Sequence, residues 1–208
     1  MEGLLQISGA RLTAEDLIAF EQDIAQLFDA GLIRSPVHLA GGNEEALIDI
    51  FKWIDPKNDW VAVQWRSHYH ALLKGVPSQE VKQAILDGRS IAMCFPKYRV
   101  IASALVGGIA PIAMGIAWGI KRGGKRGKVW CFLGDMTAKT GIVGETLQYA
   151  MGHDLPIQFV IEDNGKSVCT DTKAAWGEPV IPSSSAPVRS YQYEMSRAHV
   201  GTGTWVRF

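Results

Sequence analysis

Polar residues that could hold a metal-bound phosphate follow two apolar stretches of the sequence. Asp135 comes shortly after the stretch 128–133, and Asn164 follows a second stretch at 157–161. A carboxylate and an amide carbonyl are hard oxygen ligands, which suit magnesium or calcium. A cation held between them, beside free main-chain N–H groups at a helix start, would make a diphosphate site.

The elements around these residues predict a parallel βαβ unit. The two apolar stretches are short, as is typical of buried strands, and residues 141–152 between them have the pattern of a helix that ends before Pro156. In parallel sheets ligands bind beyond the carboxyl ends of the strands. We therefore expect Asp135 and Asn164 to converge on one crevice of an α/β fold, with a parallel sheet flanked by helices.

The same pattern resembles the signature of thiamine-diphosphate-dependent enzymes, which is Gly-Asp-Gly followed further along by Asn-Asn or Asp-Asn. This chain has Gly134-Asp135-Met136 and Glu162-Asp163-Asn164. It is most similar to the α subunit of the first component of 2-oxo acid dehydrogenase complexes. The resemblance implies a thiamine-diphosphate-binding fold, with Mg²⁺ held by Asp135, the Asn164 side chain and the Lys166 carbonyl. The cofactor contacts it implies at the diphosphate are Gly134, Asp135, Met136 and Thr137.

Met136 departs from this signature, because it replaces the usual glycine. The tight turn must then form without a positive φ angle, which glycine alone adopts readily. A main-chain N–H donor survives the replacement.

The resemblance continues upstream of the βαβ unit. Trp65-Arg66-Ser67-His68 is similar to the family's Tyr-Arg-x-His, and His38 begins a segment similar to its His-Leu. It implies that Arg66 pairs with the diphosphate, for which its planar fork is suited, and that Trp65 replaces a phosphate-binding tyrosine. His38 and His68 are the candidate catalytic residues. A surface ion pair for Arg66, and solvated loop positions for the histidines, are the alternatives.

A glycine-rich stretch supplies two further candidate cofactor residues. The resemblance implies that the main chain at Ala104 and Val106 binds the aminopyrimidine ring; the alternative is a plain apolar loop. The uncharged residues 100–120 are long enough to span a membrane. Their glycines and Pro111 instead favour a loop and a buried helix. Gly115 and Gly119 would share one face of that helix and permit close packing.

Periodicity predicts the remaining elements before residue 90. Helices are expected at 13–29 with Thr13 as N-cap, from 43 to 54, at 66–73 and at 78–86, with a strand at 60–65.

Composition describes an ordinary globular chain. Its 208 residues are 47% hydrophobic, carry a net charge of zero and include three cysteines without paired spacing. We expect a cofactor-binding domain at 1–182, a linker with a short aromatic tail at 183–208, a cytoplasmic setting, and neither nucleic acid nor membrane as a partner.

The resemblance implies decarboxylation of a 2-oxo acid and transfer of the acyl unit. The catalytic Glu of the family lies on a pyrimidine-binding domain, so we expect a β-type partner subunit that carries it, in an α2β2 assembly. One alternative is a transketolase-like half-subunit acting on a ketose, favoured by Asp163-Asn164-Gly165. Another is a non-catalytic cofactor-binding scaffold, suggested by Met136.

Overall fold

A six-stranded sheet forms the centre of the computed structural model, which describes residues 12–177 and 187–199. Its strands are β1 (Trp60–Val63), β2 (Cys94–Phe95), β3 (Val100–Ala102), β4 (Val129–Gly134), β5 (Ile157–Asp163) and β8 (Val188–Gln192). The spatial order is β2-β3-β1-β4-β5-β8, and every pair is parallel except β2 with β3. A separate antiparallel hairpin pairs β6 (Lys166–Ser167) with β7 (Thr170–Asp171).

Helices cover both faces of the sheet. They are α1 (Ala14–Asp29), α2 (Glu44–Phe51), α3 (His68–Leu73), α4 (Ser78–Leu86), α5 (Ile109–Arg122), α6 (Asp135–Ala138), α7 (Gly141–Gly152) and α8 (Thr172–Trp176). Alternate residues of β4 enter two separate cores: Trp130 and Phe132 pack with residues of α1 to α4, while Cys131 and Leu133 pack with α5 and α7. This alternation follows from the pleat of a strand. The expected α/β fold with helices flanking a parallel sheet is confirmed.

The predicted βαβ unit is present as β4, α7 and β5. The β4–β5 pairing is parallel and sets Gly134 beside Glu162 at the carboxyl edge. Thr13 caps α1 as expected, since its side chain accepts from the Asp16 N–H and the Asp16 carboxylate accepts from Thr13 in return. The helix predicted at 66–73 begins later, at His68, which leaves Arg66 in the loop after β1.

The uncharged stretch 100–120 divides into β3, a loop and α5. In the described part of the chain, no helix is long and apolar enough to cross a membrane. The expected close packing at Gly115 and Gly119 is wrong, because a Cβ placed at either position would meet no atom of another described segment within 4 Å.

Part of the predicted tail belongs to the sheet. Val188–Gln192 forms the edge strand β8, which pairs in parallel with β5 from Phe159 to Asp163. The Arg189 guanidinium lies 5.7 Å from the Trp53 ring centroid and 5.9 Å from that of Trp130, which attaches this strand to its neighbours. The expected boundary at 182/183 and the aromatic residues after 200 lie outside the described residues.

A buried polar network joins α1 to α3. The His68 Nδ1 atom lies 3.1 Å from both carboxylate oxygens of Glu21, and its Nε2 lies 2.9 Å from the Ser90 hydroxyl oxygen. Glu21 also accepts the Ala40 N–H at 3.0 Å. The order Ser-His-carboxylate is that of a hydrolytic triad, but all three side chains are fully buried, which denies a substrate access. The network instead fixes the loop that contains Ala40.

Glu21→Ala should lower the free energy of unfolding by about 3–5 kcal/mol, because His68 and the Ala40 N–H would lose their acceptor in a dry site. Urea denaturation followed by circular dichroism measures the change. Gln22→Ala, at the exposed neighbouring position of the same helix, is the matched control and should leave the midpoint unchanged. Equal midpoints for both variants would contradict a stabilising role for the network.

Candidate functional site

A cleft lies at the carboxyl ends of β1, β4 and β5, the edge at which parallel sheets bind ligands. Five segments contribute to it: the loop before α2, the residues after β1, the turn from β4 into α6, the β5–β6 region, and the segment after β8. The residues that line it are Ala40, Gly41, Asn43, Gln64, Trp65, Arg66, Gly134, Asp135, Met136, Thr137, Glu162, Asn164, Lys166, Ser167, Val168, Tyr193 and Met195.

Asp135 supplies a buried acidic oxygen to this cleft. Its side chain is 8% exposed, and its Oδ2 atom has no hydrogen-bond partner among the described residues. Burial raises the pKa of the Asp135 carboxyl, and the Thr172 hydroxyl opposes that shift. A carboxylate in this position would be stabilised by a bound cation.

Gln64 holds the turn that presents Asp135. Its side-chain oxygen accepts the Gly134 N–H at 2.6 Å, and its amide nitrogen donates to the Thr137 hydroxyl at 2.9 Å. Met136 lies within α6 and is absent from the residues with positive φ. The turn therefore forms without positive φ, as expected from the sequence. The role of Gln64 was missed, although a polar residue directly after an apolar strand is a usable signal.

Asn164 and Lys166 line the same cleft as this turn. The Asn164 side-chain oxygen accepts the Lys166 N–H at 3.1 Å, in a local turn that fixes both residues. Among the described residues, no group of three or more His, Cys, Asp or Glu side chains could hold a metal. A metal in the cleft would thus depend on amide and main-chain oxygens besides Asp135.

Arg66 places a positive charge in the cleft. Burial lowers its pKa, and the neighbouring Tyr193, Glu162 and Asp135 oppose the shift. Arg66 forms no salt bridge with any carboxylate of the described residues. Trp65 also lines the cleft, and its indole N–H is buried without a partner in the same part of the structure. Both groups are available to an anionic ligand.

Glu162 is tied to the helices behind the cleft. It accepts the Tyr191 hydroxyl at 2.5 Å and the Asn43 side-chain amide at 3.4 Å. The His70 Nε2 atom lies 3.3 Å from the same carboxylate oxygen. These contacts engage Glu162 within the protein and connect the ends of β5 and β8 to α2 and α3.

His38 lies beside the cleft. Its ring centroid is 6.3 Å from that of Trp65 and 4.4 Å from that of His199. Burial lowers the pKa of His38 to about 4, with further lowering by His199 and Arg66. The imidazole is therefore neutral at physiological pH.

The structure does not bring every predicted residue into the cleft. The expectation that His68 is catalytic is corrected by the structure. His68 is fully buried, and its two ring nitrogens contact Glu21 and Ser90. Ala104 and Val106 lie exposed on the loop after β3 and do not line the cleft. That loop packs on the start of α7, since a Cβ at Gly107 would lie 2.6 Å from the Ile142 side chain.

Two cleft residues, Tyr193 and Met195, come from the segment after β8 and were missed in the sequence. The Asn164 amide lies 3.7 Å from the Met195 sulfur. The only signal was the alternation of Tyr191 and Tyr193, which suits a strand.

The donor set of the cleft fits a metal-bound diphosphate. A buried carboxylate oxygen without a partner suits a hard cation, and amide and carbonyl oxygens are close by. Arg66 and the Trp65 N–H suit phosphate oxygens.

Comparison with known proteins gives the family. The model of the dehydrogenase E1 component family matches residues 13–181. The pyruvate dehydrogenase E1 component subunit alpha of Porphyra purpurea is 33% identical over 70% of this chain and 47% of its own length. The subunit of that name from Zymomonas mobilis is 29% identical over 75% and 47%. The chloroplastic subunit alpha-3 of Arabidopsis thaliana is 30% identical over 80% and 43%.

The chain thus spans about half the length of these curated relatives. A solved structure of a candidate thiamin diphosphate-dependent enzyme from Mycobacterium smegmatis covers 56% of this chain and 19% of its own, at 22% identity and a TM-score of 0.41. This structural likeness is too partial to support a family. The family follows from the match of its model to residues 13–181. The chain belongs to the dehydrogenase E1 component family.

Proposed function

We propose that the cleft binds thiamine diphosphate with Mg²⁺, and that the chain is the diphosphate-binding α-type subunit of an enzyme acting on a 2-oxo acid. The observation that carries the proposal is the buried, unpartnered oxygen of Asp135 in a cleft shared with Arg66, Asn164 and Lys166. The family match supports it.

The cleft residues divide into a metal set and a phosphate set. Asp135, the Asn164 side chain and the Lys166 carbonyl would hold the metal. Arg66 and the Trp65 N–H would bind phosphate oxygens. Gln64 keeps the Gly134–Thr137 turn in place, so that the carboxylate stays in position when the cation binds.

When bound, thiamine diphosphate supplies an electron sink for removal of carbon dioxide from a 2-oxo acid. The protein contributes binding, orientation and local charge. His38 lies beside Trp65 at the edge of the cleft, and in its neutral form one ring nitrogen can accept a hydrogen bond there. His68 acts only through the loop at Ala40.

A β-type subunit in an α2β2 assembly would complete the site with its pyrimidine-binding domain and catalytic Glu. Glu162, the glutamate that lines the cleft, is engaged by Tyr191 and Asn43. Ala104 and Val106 remain exposed at the same edge of the sheet, where their main chain is open to the pyrimidine end of a cofactor shared between subunits.

The function is tested by assaying the chain with Mg²⁺ and thiamine diphosphate, alone and with a β-type subunit of the same family. We expect carbon dioxide release from a 2-oxo acid only when both subunits are present, because the pyrimidine-binding Glu is supplied in trans. Carbon dioxide release is measured with a labelled panel of 2-oxo acids.

Each other result of this assay contradicts a defined part of the proposal. Turnover by the chain alone would exclude the two-subunit arrangement. Transfer of a ketol unit from a ketose phosphate, without release of carbon dioxide, would favour a transketolase-like enzyme. Absence of carbon dioxide release, together with no binding of thiamine diphosphate by calorimetry in the presence of the partner, would favour a non-catalytic scaffold.

Asp135→Asn should weaken binding of thiamine diphosphate in the presence of Mg²⁺ by at least about 100-fold, since loss of groups outside the metal shell alone costs 10–100-fold. Isothermal titration calorimetry measures the affinity. Asp154→Asn, at an exposed turn before β5, is the matched control and should bind as the unchanged chain does. Full affinity in Asp135→Asn would exclude Asp135 as a metal ligand.

The His38 imidazole should remain neutral between about pH 5.5 and 8, because its pKa lies near 4. Nuclear magnetic resonance of the ring protons, assigned with His38→Gln, measures the titration. The unfolded chain takes up this proton more readily, so His38 should reduce stability as the pH falls from 6.5 towards 4. A midpoint near 6.5 in the folded protein would contradict the burial argument.

A further inference from the structure

We propose that the Tyr193 hydroxyl donates a hydrogen bond to the diphosphate and is a binding residue of this cleft. The inference extends the proposed function, on which it rests. It assigns a role in recognition to the segment that follows the edge strand β8.

The main chain around Tyr193 is fixed by the sheet. Tyr193 donates its N–H to the Asp163 carbonyl at 2.9 Å, which continues the β5–β8 pairing by one step. Its ring centroid lies 5.8 Å from that of Tyr191, whose hydroxyl is held by Glu162. The Tyr193 side chain therefore starts from a rigid position at the carboxyl edge.

Two glycines, Gly41 and Gly42, pack against the residues that follow Tyr193. Gly42 has a φ of 91°, and a Cβ there would lie 1.9 Å from the Glu194 carbonyl oxygen. A Cβ at Gly41 would lie 2.3 Å from the Ser196 hydroxyl oxygen, and the Gly41 carbonyl accepts the Ser196 N–H at 3.3 Å. Only glycine lets the two main chains approach this closely. Tyr193 is thus set into the cleft between the sheet and the Gly41–Gly42 turn.

The surroundings of the hydroxyl match those expected for a phosphate donor. Tyr193 lines the cleft with Arg66 and Asn164, the residues proposed for the phosphate and the metal. A tyrosine hydroxyl is protonated at neutral pH, because its ordinary pKa is about 10, and it is therefore able to donate. A phenolate would repel both the phosphate and the nearby carboxylates.

Tyr193→Phe removes the hydroxyl and keeps the ring that packs on Tyr191. Isothermal titration calorimetry is performed with Mg²⁺ present, on the chain alone and with its β-type partner, using thiamine diphosphate and thiamine as probes. The variant should bind thiamine diphosphate about tenfold more weakly or worse, since hydrogen bonds to charged groups are the strong class, and should bind thiamine unchanged. Tyr149→Phe, on the exposed face of α7, is the matched control.

A structural role alone would reduce the affinity for thiamine and thiamine diphosphate alike, or lower the melting temperature without changing either affinity. Both results would overturn the inference. If the unchanged chain binds thiamine diphosphate and Tyr193→Phe binds it equally well, this inference fails while the proposed function stands. If the unchanged chain binds none even with its partner, the proposed function fails with it.

Gly42→Ala is a second test of the role of the Tyr193 hydroxyl. The added methyl group must displace the main chain at Glu194 and so move Tyr193, without altering any proposed phosphate or metal ligand. It should weaken binding of thiamine diphosphate, and its effect in a Tyr193→Phe background should be smaller than in the unchanged chain. Fully additive losses would show that Gly42 and Tyr193 act independently, and would overturn the proposed arrangement.

Discussion

Asp135 and Arg66 bury opposite charges in one cleft without forming an ion pair with each other. Removing a charge from water costs several kcal/mol unless a partner compensates it. Direct pairing of the two residues would meet that cost within the protein and close the cleft to ligands. The residues around them have other partners: Gln64 holds the turn at Asp135, and Glu162 is engaged by Tyr191 and Asn43. A cation bridged to an anion, as proposed above, would compensate both residues at once.

The βαβ unit and the positions of Asp135 and Asn164 can be predicted from local sequence. The βαβ unit was predicted because burial on both faces gives short apolar strands, and α7 and α4 have the predicted bounds. Parallel topology then places Asp135 and Asn164 at one edge, since the strands run in the same direction. No contact between distant segments had to be known. Met136 was likewise readable, because a helical turn after β4 makes no demand for positive φ.

The rest of the site depends on contacts between distant segments. His68 stands two residues after Arg66 in the same motif, yet the start of α3 directs it into the core, where Glu21 and Ser90 complete its hydrogen bonds. Neither partner is near it in sequence. The strand β8 follows a run of prolines and serines, and three of its five residues, Arg189, Ser190 and Gln192, are polar. A segment of this composition is easily predicted to be a tail, because its pairing with β5, and not its own sequence, stabilises it as a strand.

The position of β8 places the segment that follows it in the wall of the cleft, where a bound ligand would contact it. An edge strand pairs on one side only, and here its attachment depends on β5, on the Trp53–Arg189–Trp130 contact and on the fit of the following segment against Gly41 and Gly42. A ligand that contacts both Arg66 and the segment after β8 adds a further connection across the cleft. By linkage, whatever binds only the docked arrangement also stabilises it. Under the proposed function, binding of the ligand and attachment of the edge strand would therefore be linked, and a change at Gly42 would act on the cleft from a position that bears no charge.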